Sequence, residues 1–429
     1  MRILIVSAVF PPEPVTTAQT SGQIAEELVR QGHEVQVLAP YPNRPTGRLF
    51  EGYKRTLYST FIISQHYKVT HCFGCFSPRS SMVSRFAENL SFGITAGLRL
   101  LCSQRPDVVY SNAWPIFTTG IIACIAKLRG IPLVISVQDI YPESLESQGR
   151  TSRLRWLYRL LRRIDMVIAR SARHIIVISE RFRQLYVEDR GIEAERLHVI
   201  PNWGKEDSIA IDVSNALAFR RRLGIPDDAF VAVYAGNVGV AANAEILVDV
   251  FAKLNNRPNL YLVIAGDGSR LDVCREKIVK KQLDRVIVHS PWKIEETGSV
   301  LQMADVLLLP TKDRQSLNSI PSKLISYLLS GRPVIASVLT ESDTAMVISG
   351  TGAGWVVAPD SPDMIARAIV MAGEQSKEKL NEMGKAGREY ALRNLTRQST
   401  LPLIIDIISR TAGLQENANS STQRVNQYW

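Results

Sequence analysis

The sequence lacks the long apolar runs that a membrane-spanning helix needs. Such a helix requires about 18 consecutive apolar residues, and no run in this chain of 429 residues reaches that length. The opening MRILIVSAVF predicts a buried strand, and it continues into Pro11-Pro12-Glu13-Pro14 without the small-residue cleavage site of a signal peptide. We therefore expect a cytoplasmic protein whose contact with any membrane is peripheral.

Cysteine is scarce and histidine is scattered. The five cysteines are an odd number without a framework spacing, as is typical of a reducing compartment. Cys72 and Cys75 form a lone C-x-x-C pair without the second ligand pair of a zinc site. The six histidines form no HExxH or HxH pattern. The sequence therefore predicts no metal site.

Acidic residues are outnumbered by basic ones, and the imbalance is local. The chain has 51 Lys and Arg against 41 Asp and Glu, a net charge of +10. Residues 1–200 hold 25 basic against 16 acidic residues, so nearly all of the excess lies in this part. A basic half indicates an anionic partner: phosphate groups, an anionic membrane or nucleic acid. We expect no nucleic acid, because no recognised reader motif is present.

Apolar strand-like runs alternate with helical patterns along the chain, and neither half has GxGxxG after its first strand. The missing pattern argues against a dinucleotide oxidoreductase. The alternation predicts an α/β protein with parallel, doubly wound sheets, and this length suits two domains. We predict an amino-terminal domain over 1–200, which a returning helix at about 395–412 joins, a carboxyl-terminal domain over 205–394, and a disordered tail over 413–429.

The segment 321–336, PSKLISYLLSGRPVIA, predicts a short helix followed by a buried strand. Gly331 can adopt the left-handed conformation that ends helices, and Pro333 cannot continue one. Free amides at the start of such a helix favour an anion, and Lys323 lies in the first turn. We therefore expect an anion site at this edge of the sheet.

Two glycine-containing turns follow predicted strands in the same half. The sequence AGNVG at 235–239 follows the strand predicted at 231–234, and Gly266-Asp267-Gly268 follows the one predicted at 260–264. Glycine permits close approach of the backbone to a ligand. Both stretches also fit ordinary turns, so position alone leaves the two interpretations open.

Together these motifs resemble the retaining glycosyltransferases of family 4, which have the GT-B fold of two Rossmann-like domains facing across a cleft. The resemblance covers about residues 1–395, and the stretches 321–323 and 330–334 are similar to one subgroup. That subgroup comprises bacterial O-antigen or capsule N-acetyl-L-fucosaminyltransferases and colanic-acid glycosyltransferases. The resemblance implies a nucleotide-sugar site at Gly236, Asn237, Gly266, Asp267, Gly268, Asn318, Ser322, Lys323 and Ser326.

The chain departs from the family at its hallmark pair of glutamates, whose places are taken by Asn318 and Ser326. In the family the second glutamate holds the ribose hydroxyls, and a neutral serine makes a weaker hydrogen bond there. The family's basic residue at the position of Asn237 is also absent. The resemblance therefore implies that the donor diphosphate depends on backbone amides and Lys323.

The amino-terminal half resembles the same subgroup through FPPE at 10–13, LVRQGHEV at 28–35 and YPNRPTG at 41–47. Thr20, Ser21 and Gly22 stand where the family has a Gly-Gly loop that faces the donor phosphate and the acceptor. The resemblance therefore implies a phosphate or acceptor loop at these three residues.

A polar loop, QDIYPES, follows the strand predicted at 133–137. Carboxyl ends of parallel strands are where ligands bind in this architecture. We take Asp139, Glu143 and Gln138 as candidate catalytic residues, with Asp139 accepting a proton from the acceptor hydroxyl or orienting it. The alternative is an ordinary helix start that favours acidic residues and proline.

The segment 150–173 carries eight arginines and one acidic residue, with leucines at helical spacing. A basic amphipathic helix with aromatic residues is typical of a membrane surface, and a solvated charged face of a core helix is the alternative. Predicted contacts are Arg153, Arg155, Trp156, Arg159, Arg162 and Arg163.

The resemblance implies transfer of a hexose, an N-acetylated deoxyhexose, from a nucleoside-diphosphate sugar to a polyprenyl-diphosphate-linked saccharide. We expect UDP as the nucleotide, no cofactor beyond the donor, and an anionic membrane surface as a partner on the inner membrane face. Two alternatives stay open: a UDP-sugar epimerase on the same fold, and a non-catalytic partner of another transferase. Sequence does not decide the oligomeric state.

Overall fold

The computed structural model describes residues 1–76, 82–140, 142–143, 155–204, 213–312 and 321–413. The chain forms two compact units. The amino-terminal unit comprises residues 1–200 and the chain from Leu401, and the carboxyl-terminal unit comprises Pro201–Thr400.

The amino-terminal unit is built on an eight-stranded sheet with the order β3-β4-β2-β1-β5-β6-β7-β8. All neighbouring strands are parallel except β3 and β4, which form an antiparallel hairpin at the edge. The strands are β1 Arg2–Val6, β2 Glu34–Pro40, β3 Tyr58–Ser64, β4 Tyr67–Cys72, β5 Val108–Asn112, β6 Leu133–Val137, β7 His174–Val177 and β8 Leu197–Val199. The helices are α1 Thr16–Arg30, α2 Met82–Cys102, α3 Ile116–Leu128, α4 Arg155–Ser171 and α5 Glu180–Glu188.

Helices cover one face of this sheet with buried apolar side chains. Phe92 of α2, Ile122 of α3 and Ile168 of α4 are buried in one cluster with Ile135 of β6. Helix α3 packs against both α2 and α4. The three helices therefore cover one face of the sheet.

The carboxyl-terminal unit contains a parallel six-stranded sheet with the order β11-β10-β9-β12-β13-β14. Its strands are β9 Phe230–Ala235, β10 Leu260–Ala265, β11 Val286–His289, β12 Val306–Pro310, β13 Val334–Ser337 and β14 Gly354–Val357. Its helices are α6 Val213–Arg222, α7 Glu245–Lys253, α8 Leu271–Lys280, α9 Thr297–Gln302, α10 Ser322–Leu329, α11 Asp343–Thr351, α12 Pro362–Gly373 and α13 Lys377–Asn394. A last helix, α14 Arg397–Thr411, begins in this unit and belongs to the amino-terminal unit from Leu401 onward.

The predicted helix–glycine–strand segment is confirmed. Helix α10 ends at Leu329, Gly331 has a φ of 72°, and β13 begins at Val334. Helix α13 packs directly on this turn, because a Cβ added at Gly384 would lie 1.9 Å from the carbonyl oxygen of Gly331. Glycine at 384 therefore allows the close contact between α13 and the turn.

The predicted doubly wound α/β sheets are confirmed, and every described strand pair is parallel except the β3–β4 hairpin. Two local details differ from the sequence analysis. The strand predicted from MRILIVSAVF ends early, at Val6, and the β3–β4 hairpin was not predicted. The tail predicted over 413–429 lies outside the described residues from residue 414 on. None of the described helices is both long and apolar enough to cross a membrane.

Candidate functional site

Lys323 is the centre of a polar site at the carboxyl end of β9. Its Nζ donates hydrogen bonds to the Tyr234 hydroxyl at 2.6 Å and to the Asn237 carbonyl at 3.1 Å. The same Nζ lies 4.8 Å from the centroid of the Tyr234 ring. Helix α10 starts one residue earlier, after Pro321, and no side chain caps it. The ammonium and the free amides of α10 therefore belong to one turn of the chain.

The glycine turns bring the backbone close to this lysine. Gly236 has a φ of 137°, and a Cβ there would lie 2.3 Å from Cε of Lys323. Gly266 has a φ of 145°, and a Cβ there would lie 1.9 Å from the carbonyl oxygen of Gly236. A side chain at Gly236 would displace the Lys323 side chain, and one at Gly266 would push the two turns apart. The two glycine turns and Lys323 therefore lie together.

The charge of Lys323 has no described counter-ion. Burial lowers the pKa of Lys323 to about 8, and no carboxylate among the described residues offsets that effect. A cation without an ion-pair partner, next to uncapped helix amides, favours an anionic ligand. The arrangement is suited to phosphate oxygens.

The remaining predicted donor residues differ in their contacts. Asp267 accepts from the Gly268 amide at 2.7 Å, and its backbone carbonyl accepts from the Val238 amide at 2.8 Å. Ser322 is exposed, and the hydroxyl of Ser326 donates to the Ser322 carbonyl at 3.4 Å. Asn318 lies outside the described residues. Their roles in donor binding stay predictions.

Two buried tyrosines form hydrogen bonds with the backbone of the turn at 235–237, and the sequence interpretation missed both. The hydroxyl of Tyr327 donates to the Ala235 carbonyl at 3.0 Å and accepts from the Ala235 amide at 2.8 Å. The hydroxyl of Tyr234 donates to the Asn237 carbonyl at 2.6 Å. Both side chains are almost fully buried. A tyrosine in an otherwise apolar strand or helix face needs a partner for its hydroxyl, and this was the available signal.

In the amino-terminal unit, Gln138 and Asp139 follow β6 directly. The amide of Gln138 donates to the Ser136 hydroxyl at 3.1 Å. The Asp139 side chain is exposed, yet the protein packed around it raises its pKa through desolvation. A carboxylate with a raised pKa holds a proton more readily than a free aspartate. The catalytic role of Asp139 stays a prediction.

Glu143 lies in a different setting from Asp139. Its Oε1 accepts a 2.6 Å hydrogen bond from Arg190, which is fully buried and also donates to Asp165 at 2.9 Å. Tyr186 donates to the same Asp165 at 3.1 Å. Removing a partner from a buried ionic cluster is costly. This favours a positioning role for Glu143 over direct contact with substrate.

The placement of Thr20, Ser21 and Gly22 in a loop was wrong, because all three lie inside α1. Ser21 is buried, and the Asn112 amide donates to its hydroxyl at 3.2 Å. A Cβ at Gly22 would lie 2.8 Å from Cγ of Pro11. These residues therefore serve the packing of α1 on the sheet, and their contact with phosphate or acceptor stays a prediction.

Two family models match the two units. Residues 16–203 match a glycosyl transferase 4-like domain, and residues 216–390 match glycosyl transferases group 1. The chain is a family 4 glycosyltransferase.

Relatives of this glycosyltransferase are similar along most of their length. The chain is 23% identical over 418 residues to a putative colanic acid biosynthesis glycosyl transferase, WcaI, of Escherichia coli. This match covers 95% of this chain and 100% of WcaI. It is 25% identical over 301 residues to a probable glycosyltransferase, WbjE, of Pseudomonas aeruginosa, covering 70% of this chain and 73% of WbjE.

A solved structure shows the fold of the enzyme. Alr3699/HepE of Anabaena, solved in complex with UDP, superposes with a TM-score of 0.69 at 16% identity and covers 96% of this chain and 100% of that one. The GT-B prediction is confirmed by this likeness and by the two parallel sheets.

The predicted membrane helix of the transferase is partly described. Trp156, Leu160 and Val167 of α4 are exposed, with exposed fractions of 65%, 46% and 62%. Arg159 and Arg163 are exposed as well, and Arg162 pairs with Asp189 at 3.4 Å. Arg153 and the side chain of Arg155 lie outside the described residues.

In the parts of the chain that the structure describes, no group of three or more His, Cys, Asp or Glu side chains is placed to hold a metal ion.

Proposed function

We propose that this enzyme is a retaining transferase that moves a hexose, an N-acetylated deoxyhexose, from a UDP-linked donor to a polyprenyl-diphosphate-linked saccharide. The product would belong to a bacterial surface polysaccharide such as O-antigen or capsule. The donor would bind in the carboxyl-terminal unit and the acceptor in the amino-terminal unit.

The observation that carries the proposal is the Lys323 ammonium beside two glycine turns, with no ion-pair partner among the described residues. A nucleoside diphosphate brings negative charge, and charge-assisted hydrogen bonds to it are stronger than neutral ones. When the sugar leaves, charge increases on the diphosphate, so Lys323 and the α10 amides would stabilise the leaving group. The complex of Alr3699/HepE with UDP supports a uridine nucleotide.

The acceptor hydroxyl must lose a proton as the new glycosidic bond forms. Asp139, placed directly after β6, would accept that proton or orient the hydroxyl. A front-face reaction retains configuration without a protein nucleophile, so no covalent sugar intermediate is required. Gln138 would orient the acceptor, and Glu143 would hold the loop through Arg190.

A lipid-linked acceptor requires access to a membrane surface, and the amino-terminal unit has a suitable face. Helix α2 exposes Phe86, Ile94, Leu98 and Leu101, and α4 exposes Trp156, Leu160 and Val167. Exposed apolar side chains flanked by arginines are typical of helices that lie in a lipid headgroup region. This supports peripheral attachment to the inner membrane face, with the enzyme in the cytoplasm.

The choice of surface polysaccharide is supported by the names of the relatives. WcaI is described as a putative colanic acid biosynthesis glycosyl transferase, and another relative as a lipopolysaccharide 1,2-N-acetylglucosaminetransferase of Salmonella typhimurium. Colanic acid and lipopolysaccharide are both saccharides of the bacterial surface. The two relatives are only 23% and 22% identical to this chain, so the identity of the transferred sugar is proposed here and is not taken from them.

The test is a thermal-shift and turnover screen of the purified full chain against UDP-sugars and GDP-sugars. Each donor is assayed with and without a polyprenyl-diphosphate-linked N-acetylglucosamine acceptor. We expect stabilisation by a UDP-sugar and turnover that depends on the lipid acceptor. Isomerisation of the donor without acceptor would favour an epimerase, and stabilisation by GDP-sugars alone would overturn the choice of nucleotide.

A further inference from the structure

We propose that Tyr234 is a positioning residue, which holds the Lys323 ammonium in place for the donor diphosphate. The juxtaposition that carries this inference is a phenol hydroxyl, an ammonium and one backbone carbonyl within hydrogen-bond distance of each other. The inference rests on the proposed function of Lys323 as a diphosphate ligand.

The hydrogen bonds around the phenol have one consistent direction. The Tyr234 hydroxyl has a single proton, which it donates to the Asn237 carbonyl at 2.6 Å. Its lone pairs are then free to accept from Nζ of Lys323, also at 2.6 Å. Burial raises the pKa of Tyr234, so the phenol stays neutral and keeps this direction.

The described contacts of the Lys323 ammonium use two of its three N–H groups. Nζ carries three protons, and two of them point to the Tyr234 hydroxyl and the Asn237 carbonyl. No third acceptor within the described ranges receives a bond from it. One N–H therefore remains for a ligand, and the other two bonds set its direction.

Packing keeps the phenol in one position. Tyr234 is fully buried, and β9 lies in the interior of the sheet between β10 and β12. The Lys323 side chain crosses Gly236, where a Cβ would lie 2.3 Å from Cε. Because the phenol is rigid and the lysine stem is confined, the ammonium has little freedom to lose on binding a ligand.

The two buried titratable groups next to this pair, Cys274 and Tyr327, keep their protons near neutral pH. Burial raises the pKa of Cys274 on α8 to about 11 and also raises that of Tyr327 on α10. The carboxylate of Asp267, in the neighbouring turn, accepts from the Gly268 amide. Among Lys323, Tyr234, Cys274 and Tyr327, Lys323 is therefore the group that changes charge between pH 7 and 9, because burial lowers its pKa to about 8.

The variant Tyr234→Phe keeps the ring and removes the hydroxyl. The ammonium then loses one acceptor, which disfavours its charged form, so its titration moves to lower pH. We expect the Lys323 midpoint to fall by about one pH unit and the dissociation constant for UDP at pH 7.5 to rise roughly tenfold, as a hydrogen bond to a charged group predicts.

Two measurements on the full-length protein test this. Trace acetylation of Lys323 across pH 6.5–10, followed by mass spectrometry of the peptide, gives its titration without any ligand. Isothermal titration with UDP gives the affinity. The test variant is Tyr234→Phe. Two variants serve as controls: Tyr327→Phe removes a neighbouring buried hydroxyl that does not bond to Lys323, and Tyr261→Phe removes a hydroxyl on β10.

The expected result is that Tyr234→Phe alone shifts the Lys323 midpoint and that it also weakens UDP binding. An unchanged midpoint and unchanged UDP affinity in Tyr234→Phe would overturn the inference, even if Lys323→Ala still weakens UDP. An equal shift in Tyr327→Phe would overturn it too, because the effect would then come from the backbone turn. A shifted midpoint in a protein that does not bind UDP would support the contact and contradict the proposed function.

Discussion

At the residue scale, Asp139 offers a direct test of the proposed chemistry. Asp139→Asn keeps the size of the side chain and removes the base, so acceptor-dependent turnover should fall by roughly 100-fold or more. UDP affinity should stay the same, because the donor centre is formed by residues of the carboxyl-terminal unit. Steady-state kinetics and UDP titration check both points, with the exposed Glu193→Gln as control.

The pH dependence of turnover should follow the same residue. Desolvation raises the pKa of Asp139 above its ordinary value of 3.8. The basic form is present above that raised pKa and is lost as the pH falls through it, so activity should decline on the acid side earlier than for a free aspartate. An acid limb that is identical in Asp139→Asn would contradict the assignment.

Much of the donor centre could be predicted from the sequence, because its residues leave local signals. Gly236, Gly266 and Lys323 follow from turn chemistry and from a helix start after a strand. Tyr234 could not be placed, since its role depends on a contact between residues 89 positions apart in the chain. Ser21 was misplaced for a different reason: its position was taken from the family's loop, whereas in this chain α1 already begins at Thr16.

Arg190 is a residue whose removal should destabilise the amino-terminal unit. It is fully buried and bonds to both Glu143 and Asp165, so Arg190→Met leaves two poorly solvated carboxylates unpaired. We expect a loss of about 3–5 kcal/mol in the free energy of unfolding. Urea denaturation measures it.

The matched control is Arg183→Met, which breaks a part-exposed pair with Glu180 three residues away on α5. That change should cost less than about 1 kcal/mol. Similar losses of unfolding free energy in the two variants would show that the buried ion pairs of Arg190 stabilise the unit no more than a part-exposed pair does.

At the scale of elements, the contact of α13 with the turn after α10 depends on one glycine. Gly384→Ala would put a methyl group 1.9 Å from the Gly331 carbonyl oxygen, so the helix must shift. We expect a clear fall in melting temperature and weaker UDP binding, because the same turn ends the helix that carries Lys323. Differential scanning calorimetry and UDP titration measure the two effects.

Gly350→Ala is the control, since Gly350 lies in helix α11 and a Cβ there meets nothing within 4 Å. Alanine favours helix there by up to about 1 kcal/mol, so this variant should be neutral or slightly more stable. If Gly384→Ala behaves in the same way, α13 does not need the close contact.

Elements with strong periodicity or clear end signals were predicted well, and the β3–β4 hairpin was missed. Its turn, Gln65-His66, contains none of the glycine or asparagine residues that mark two-residue hairpins. Strand β3 also exposes Ile62 and Ile63, so it lacks the alternation of a half-buried strand. Sheet pairing decides such a segment, and local sequence does not.

At the scale of the whole molecule, the charge excess in residues 1–200 and the exposed apolar residues of α2 and α4 predict binding to anionic vesicles. Replacing Trp156 and Leu160 of α4 by serine should lower the fraction bound to phosphatidylglycerol vesicles several-fold, because both side chains are exposed beside arginines. Co-sedimentation measures this.

The control for the vesicle experiment is Val279→Ser in the carboxyl-terminal unit, where an exposed valine lies among lysines on α8. It should leave vesicle binding unchanged. Equal binding of all three proteins, or equal binding to neutral phosphatidylcholine, would contradict an anionic membrane as partner of the amino-terminal unit.

The measurement that most directly tests the central claim is UDP binding to the wild type and to Lys323→Ala, at pH 7.0 and at pH 9.5. The account predicts that Lys323→Ala raises the dissociation constant at pH 7.0 by roughly 10- to 100-fold, as loss of a charged hydrogen bond implies, and that Lys280→Ala does not. At pH 9.5 the wild type should approach the variant, because the ammonium, whose pKa is about 8, is then largely neutral. Equal affinity of both proteins for UDP at pH 7.0 would contradict the account.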